Sequence, residues 1–328
     1  MTKKRYILIG LWAVAMMAFT SCERMPLYDL EKSVELELSL VLDLDLELDL
    51  DVDVDVDIEK RINAPNHMKV LFYEPSDRHL QYAEFVDSTG GKISTPPGSY
   101  RMLVYSFGTE YTQIRGDGDI ATIEAFTSDI TATKGSALRG FTRSDADMPP
   151  GPVIYMPDHL LVAAEDVTIP DWMGEDIRIT LHATASTIVE TYTFEVHSVI
   201  GAEYIESCEA FVTNQARSSF FGLGVVSREP ATLWFPVGVD RRKGCLYTTF
   251  NTFGKLPGAS HCYLHILVRD TDGQEHHYST DITEQFENTD KHIIIDEKID
   301  IPEPPSHGGG IAPTVNPWDE ESHDIPIG

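Results

Sequence analysis

Cys22 is the residue with the plainest chemistry to do. It follows a basic start, Lys3, Lys4 and Arg5, an apolar run from Tyr6 to Phe19, and then Thr20 and Ser21. A basic segment, a short apolar run and small residues before a cleavage point are the parts of a secretory signal. The run holds about 14 residues, whereas a helix needs roughly 20 to span a bilayer. Phe19-Thr20-Ser21-Cys22 resembles the lipobox of lipoprotein precursors, with Phe19 in place of the usual aliphatic residue. Cleavage before Cys22 would free its thiol for thioether-linked lipid. Each buried methylene of such a lipid contributes about 0.8 kcal/mol, and more than one acyl chain makes attachment stable. The expected location is the outer membrane, lipid-anchored, with the chain exposed at the cell surface.

The other reactive groups are less promising. His261 and His265 have a spacing that suits metal binding on a helix. They fall in a strand pattern, where four residues span about 13 Å, and read as an exposed polar face. His276 and His277 point to opposite faces of a strand. Gly116-Asp117-Gly118-Asp119 lacks the rest of a calcium loop and reads as a turn. No serine sits in a G-x-S-x-G elbow. Trp172 and Trp234 could stack on sugars, but core packing is the favoured reading of such residues. Cys208, Cys245 and Cys262 are an odd set from which one disulfide could form, and spacing does not choose it. No CxxC pattern is present. The sequence therefore offers Cys22 as a lipid site and no catalytic, metal or cofactor site.

The net charge of −28 becomes three units more negative when Lys3, Lys4 and Arg5 leave with the signal. Such a chain repels nucleic acid phosphates, which removes nucleic acid from the expected partners. A hydrophobic content of 42% is enough for real cores.

The elements that must carry any site are strands. From Val34 to Ile58 every even position is Val, Leu or Ile, and the odd positions from Asp43 to Glu59 are all Asp or Glu. Period two places the two kinds on opposite faces of a strand. Carboxylates on one face lie about 7 Å apart, within the roughly 8 Å screening length, and repel. The Val/Asp end, at 50–60, is expected to join a sheet, with the remainder an acidic stalk. A straight row of carboxylates does not converge on one ion, which disfavours calcium. Strands are expected at 68–73, 81–86, 99–107 and 120–126, with turns at Ser88–Gly91 and Thr95–Gly98. A long surface loop is expected over 134–158 and a link between domains near 165–174. Further strands are expected around 177–183, 192–196, 232–235, 244–250, 262–268 and 291–295, each alternating. On the strand at 192–196, Thr193, Glu195 and His197 form the polar face. Asp281-Ile282-Thr283-Glu284 has the form of a capping box and predicts a short helix to about Glu287.

The layout resembles the fimbrillin-related lipoproteins of Bacteroidetes and, more narrowly, domain-of-unknown-function family 5119. The residues behind it are Cys22, His67-Met68-Lys69-Val70-Leu71-Phe72-Tyr73, the run Pro97–Tyr105 with Phe107-Gly108-Thr109-Glu110, Thr252-Phe253-Gly254 and Asp281-Ile282-Thr283. It covers most of 50–300; the Leu/Asp repeat departs from it. The resemblance implies an all-β chain with two transthyretin-like β-sandwich domains in tandem. The layout is then signal peptide 1–21, tether and acidic repeat 22–49, N-terminal sandwich 50–168, C-terminal sandwich 169–301 and Pro/Gly-rich tail 302–328. It implies a fimbrial anchor, accessory subunit or adhesin, with a membrane and fimbrial subunits as partners and strand exchange as an assembly mode. A surface glycan-binding lipoprotein is the alternative. The tail carries Ile311, Val315, Trp318, Ile325 and Ile327 broken by Pro313, Pro317 and Pro326, and is expected to dock on its own chain or on a partner.

Overall fold

The computed structural model describes residues 32–44, 46, 61–138, 151–171, 179–288 and 290–304. Within them the chain is mostly β. In order, the first strands are β1 Lys32–Leu40, β2 His67–Tyr73, β3 Leu80–Asp87, β4 Gly90–Thr95 and β5 Gly98–Ser106. Two short strands, β6 Gln113–Arg115 and β7 Glu124–Phe126, precede helix α1 Thr131–Leu138 and strand β8 Val153–Tyr155. Then come β9 Leu161–Ile169, β10 Thr180–Thr187, β11 Glu190–Val196, β12 Val199–Ile200, β13 Ile205–Ala216, β14 Ser218–Phe220 and β15 Val225–Val226. The last elements are β16 Pro230–Pro236, β17 Gly238–Asp240, β18 Cys245–Thr252, β19 Tyr263–Asp270, β20 Glu275–Asp281, helix α2 Thr283–Phe286, β21 His292–Ile295 and β22 Ile299–Asp300.

Seven strands close into a barrel in the order β1-β10-β9-β5-β2-β3-β4. Alternation explains its filling. Met68, Val70 and Phe72 of β2 and Met102 and Val104 of β5 point inward, where they meet Val34, Leu36 and Leu38 of β1. The odd residues Leu71, Tyr73, Leu103 and Tyr105 point outward and are also buried. They pack against Ile120, Ile123, Phe221, Val189 and Phe253, so the barrel wall is fastened to the rest of the chain by a second core. Small sheet β15-β14-β7-β6 lies in that contact. Beyond it, sheets β20-β19-β13-β16-β8 and β17-β18-β11-β21 share one core. Leu233, Phe235, Leu264 and Ile266 on one sheet meet Phe194, Leu246 and Phe250 on the other. The Phe235 and Phe250 rings stack with centroids 4.4 Å apart.

Several expectations need correction. The Leu end of the repeat, 32–40, enters the sheet, where a stalk was expected; the expectation for the Val/Asp end at 50–60 lies outside the described residues. The strands after residue 60 form a barrel in place of the expected sandwich, because β1 fills the gap between β4 and β10. Within 134–158 the chain forms part of α1 and all of β8, whose pairing with β16 needs extended backbone. Residues 165–169 are strand β9 paired along β5, not a link. The strand expected at 120–126 is reduced to β7, since Asp119 O accepts N–H groups of Thr122 and Ile123 in a turn. Strand β10, which the sequence places after the domain link, pairs with β1 and β9 in the barrel. The helix at 283–286 forms as expected, with Asp281 Oδ1 accepting the Thr283 N–H at 2.9 Å.

Candidate functional site

Cys22 lies outside the described residues, so the site is built from the first strand after it. Strand β1 begins at Lys32, ten positions on, a reach of at most about 35 Å of extended chain. Its even residues are the reason it docks: Val34 and Leu36 are each 1% exposed and Leu38 9%. Burying such side chains contributes about 1.5–3 kcal/mol each. β1 is held on both edges. It pairs antiparallel with β4 from Lys32↔Thr95 to Glu37↔Gly90. It pairs parallel with β10 from Glu35↔Thr180 to Leu40↔Ala185. The seam with β4 depends on glycine. Gly90 has φ +104°, and a Cβ there would sit 1.9 Å from the Leu36 carbonyl oxygen. At the rim Lys32 Nζ lies 3.8 Å from Asp171, and His182 Nδ1 lies 3.2 Å from Glu37.

The acidic repeat is thereby relocated. After β1, Val41 N–H donates to Ala185 O at 2.9 Å, and Ile62 N–H donates to Leu42 O at 2.7 Å. Asp43 and Arg61 form a bridge, with Nε 3.7 Å from Oδ1. Both ends of 44–60 are therefore pinned together at the end of the barrel away from Lys32. Of the expected stalk, residues 34–40 lie in the barrel as β1, while 47–60 fall outside the described residues.

The same far end carries a cleft of about 370 Å³ lined by Asn63, Asn66, His67, Ser106, Phe107 and His159 among others. Beside it two aromatic rings are open to solvent: Phe85 is 62% exposed and Phe107 41%. They meet edge to face with centroids 5.4 Å apart. Lys69 Nζ lies 5.9 Å from the Phe85 ring and bonds Asp117 at 2.8 Å. This places Asp117, from the Gly116–Asp119 turn, in an ion pair.

The other sequence candidates fall apart spatially. His261 Nδ1 lies 3.2 Å from Asp281 Oδ2. His265 is buried, not on an exposed face, and its Nδ1 lies 2.6 Å from Ser279 Oγ. His276 bonds Asp270 at 2.9 Å. That bond, with backbone N–H groups of Gln274 and Asp272, holds the Asp270 carboxyl below the usual range. Trp234 is half-buried; its Nε1–H donates to Glu209 at 2.8 Å and Lys134 Nζ covers its ring at 4.4 Å. Trp172 lies outside the described residues. Cys208, Cys245 and Cys262 are buried and free. Burial pushes all three thiols up, Cys262 to about 11.

One cluster escapes the sequence reading. Glu195, assigned by alternation to a polar strand face, is fully buried. His197 Nε2 lies 2.7 Å from its Oε2, and His292 Nε2 lies 3.2 Å from its Oε1 without hydrogen-bond alignment. A carboxylate buried between two imidazoles resembles catalytic or metal machinery, but Glu195 has no opening to solvent, and the cluster ties β21 to β11. Only the pairing of distant strands brings His292 there. No group of three His, Cys, Asp or Glu among the described residues could hold a metal ion. Among them no helix is long and apolar enough to cross a membrane.

Comparison with known proteins adds kinship. A family model described as "Domain of unknown function (DUF5119)" matches residues 45–236. A relative from Bacteroides ovatus, "Putative fimbrium anchoring subunit Fim4B", is 24% identical over 302 residues, covering 80% of this chain and 85% of that protein. A solved structure of "a putative adhesin" from Bacteroides ovatus superposes with a TM-score of 0.57 at 20% identity, covering 87% of this chain and 98% of that one. That likeness shows a shared fold. The fimbrial anchor protein Mfa2 from Porphyromonas gingivalis has a TM-score of 0.46 at 15% identity, over 81% of this chain and 89% of that one.

Proposed function

This chain belongs to the DUF5119 family, and we propose that it is a non-catalytic envelope lipoprotein that anchors a fimbrium or serves as its accessory subunit or adhesin. The observation that carries the reading is β1. It brings the strand that comes after Cys22 directly into the barrel wall, with Val34, Leu36 and Leu38 buried. Lipid on Cys22 would then hold a folded body within a few nanometres of the outer membrane, on its outer side. The name of the Bacteroides ovatus relative supports the same role. The body is read as two units. The first is the barrel. The second, from about residue 188 to 301 with β8 added at the edge of one sheet, is a transthyretin-like sandwich formed by the two sheets that share the Phe194–Phe235–Phe250 core. A deletion strain tests the role: fimbriae that detach or change length support anchoring, and fimbriae of normal length and attachment count against it.

The exposed Phe85–Phe107 pair beside a cleft with amide, hydroxyl and imidazole groups favours a second reading, a surface glycan-binding lipoprotein. A glycan array on the folded chain decides it, and an array without hits sets it aside.

A further inference from the structure

We infer that β1 is a shear-loaded mechanical clamp, built so that force applied through the N-terminus is resisted by two strand ladders at once. Load arriving from residues before Lys32 enters β1 at its N-terminal end. The chain leaves the barrel for its second half at the C-terminal end of β10, through Thr187 and Val189 into β11. β1 and β10 are adjacent and parallel, from Glu35↔Thr180 to Leu40↔Ala185. The two points of load therefore lie at opposite ends of one parallel pair. Tension between them slides β1 along β10 instead of peeling it, so the bonds of the ladder are loaded together. The β4 ladder, from Lys32↔Thr95 to Glu37↔Gly90, is sheared in the same motion. Residues 35–37 are gripped from both sides. Sliding also drags Val34, Leu36 and Leu38 out of the barrel core. A slip of one residue would point them outward, and the close contact of Gly90 with Leu36 fixes the register.

The second half is also fastened to the barrel wall through Tyr73, Tyr105, Phe221 and Phe253. That contact holds the far side of the load path while β1 takes the pull. The acidic insertion joins the barrel at Asp43 and Arg61, at the other end of β1. Force entering there does not shear β1. The physiological load rests on the anchoring reading; the clamp itself is a property of the fold.

Single-molecule force spectroscopy on the unlipidated chain from residue 22 tests it. Cys22 supplies the handle, because Cys208, Cys245 and Cys262 are buried. The chain is pulled between Cys22 and its C-terminus, and in a second geometry between a Val52→Cys handle in a Cys22→Ser background and the same C-terminus. Barrel rupture through Cys22 should need about twofold more force than through position 52, since forced unfolding is governed by the rate along the loaded path. Leu36→Ala should abolish most of that excess and leave the second geometry little changed. Equal forces in the two geometries, or an excess untouched by Leu36→Ala, would overturn the clamp. A clamp present in vitro, in a chain that stays on membranes without Cys22, would instead defeat the anchoring reading alone.

Discussion

Gly90, the register partner of Glu37, lies so close to the neighbouring Leu36 across the β1–β4 seam that a methyl group on Gly90 would penetrate the Leu36 carbonyl, 1.9 Å away. The positive φ of Gly90 adds a second penalty for any side chain. Gly90→Ala should therefore destabilise the chain by on the order of 2–4 kcal/mol. Limited proteolysis should find new cutting between residues 22 and 42. Unchanged melting and cutting would mean that the seam is loose enough to take a side chain.

Leu36 is 1% exposed in the barrel core. Leu36→Ala should cost about 2–5 kcal/mol, whereas Glu35→Ala, one position along and outside that core, should stay within about 0.5 kcal/mol. Thermal melts of the two variants check the difference. Equal losses would show that β1 is not oriented with its even residues inward.

Acid stability should depend on Asp270. Its folded carboxyl is held low by the His276 bond and backbone N–H groups. A depressed folded value contributes stability above the unfolded value, about 3.9, and that contribution is lost as pH falls through the folded value. Asp270→Asn should melt lower than wild type at pH 7, with the gap closing as the pH falls below about 4. A gap that stays constant down to about pH 2 would contradict this origin.

The thiols Cys208, Cys245 and Cys262 should be silent in the fold. With Cys22 replaced by serine, a thiol reagent at about pH 8 should find no fast-reacting cysteine in the native chain and three after denaturation. A fast native thiol, or fewer than three after denaturation without reductant, would show exposure or a disulfide.

The C-terminal tail, outside the described residues from 305 onward, is tested by deleting 306–328. Docking on its own chain predicts a lower melting temperature, and donation to a partner predicts normal melting with lost association. No change in either would remove both ideas.

Much of the fold is legible in the sequence because alternation is local. Period alone assigns the even residues of 34–38 and 262–268 to one face, and they are buried. That Val34–Leu40 docks is not legible, since the same pattern runs through the whole repeat. The place that Val34–Leu40 takes, between β4 and β10, exists only in three dimensions. Glu195 is misassigned for a related reason. Alternation marks its face as polar, but in the fold it is buried, bonded to His197 and flanked by His292 from nearly a hundred positions later. The cleft at Asn63, Phe107 and His159 joins loops that no motif connects.

The central claim is that lipid on Cys22, passed directly into β1, holds this body to the membrane. Fractionation of cells carrying Cys22→Ala tests it most directly. The Cys22→Ala chain should be released from membranes or left unprocessed, while the wild type sediments with the outer membrane. A Cys22→Ala chain recovered in processed form, on membranes like the wild type, would contradict it.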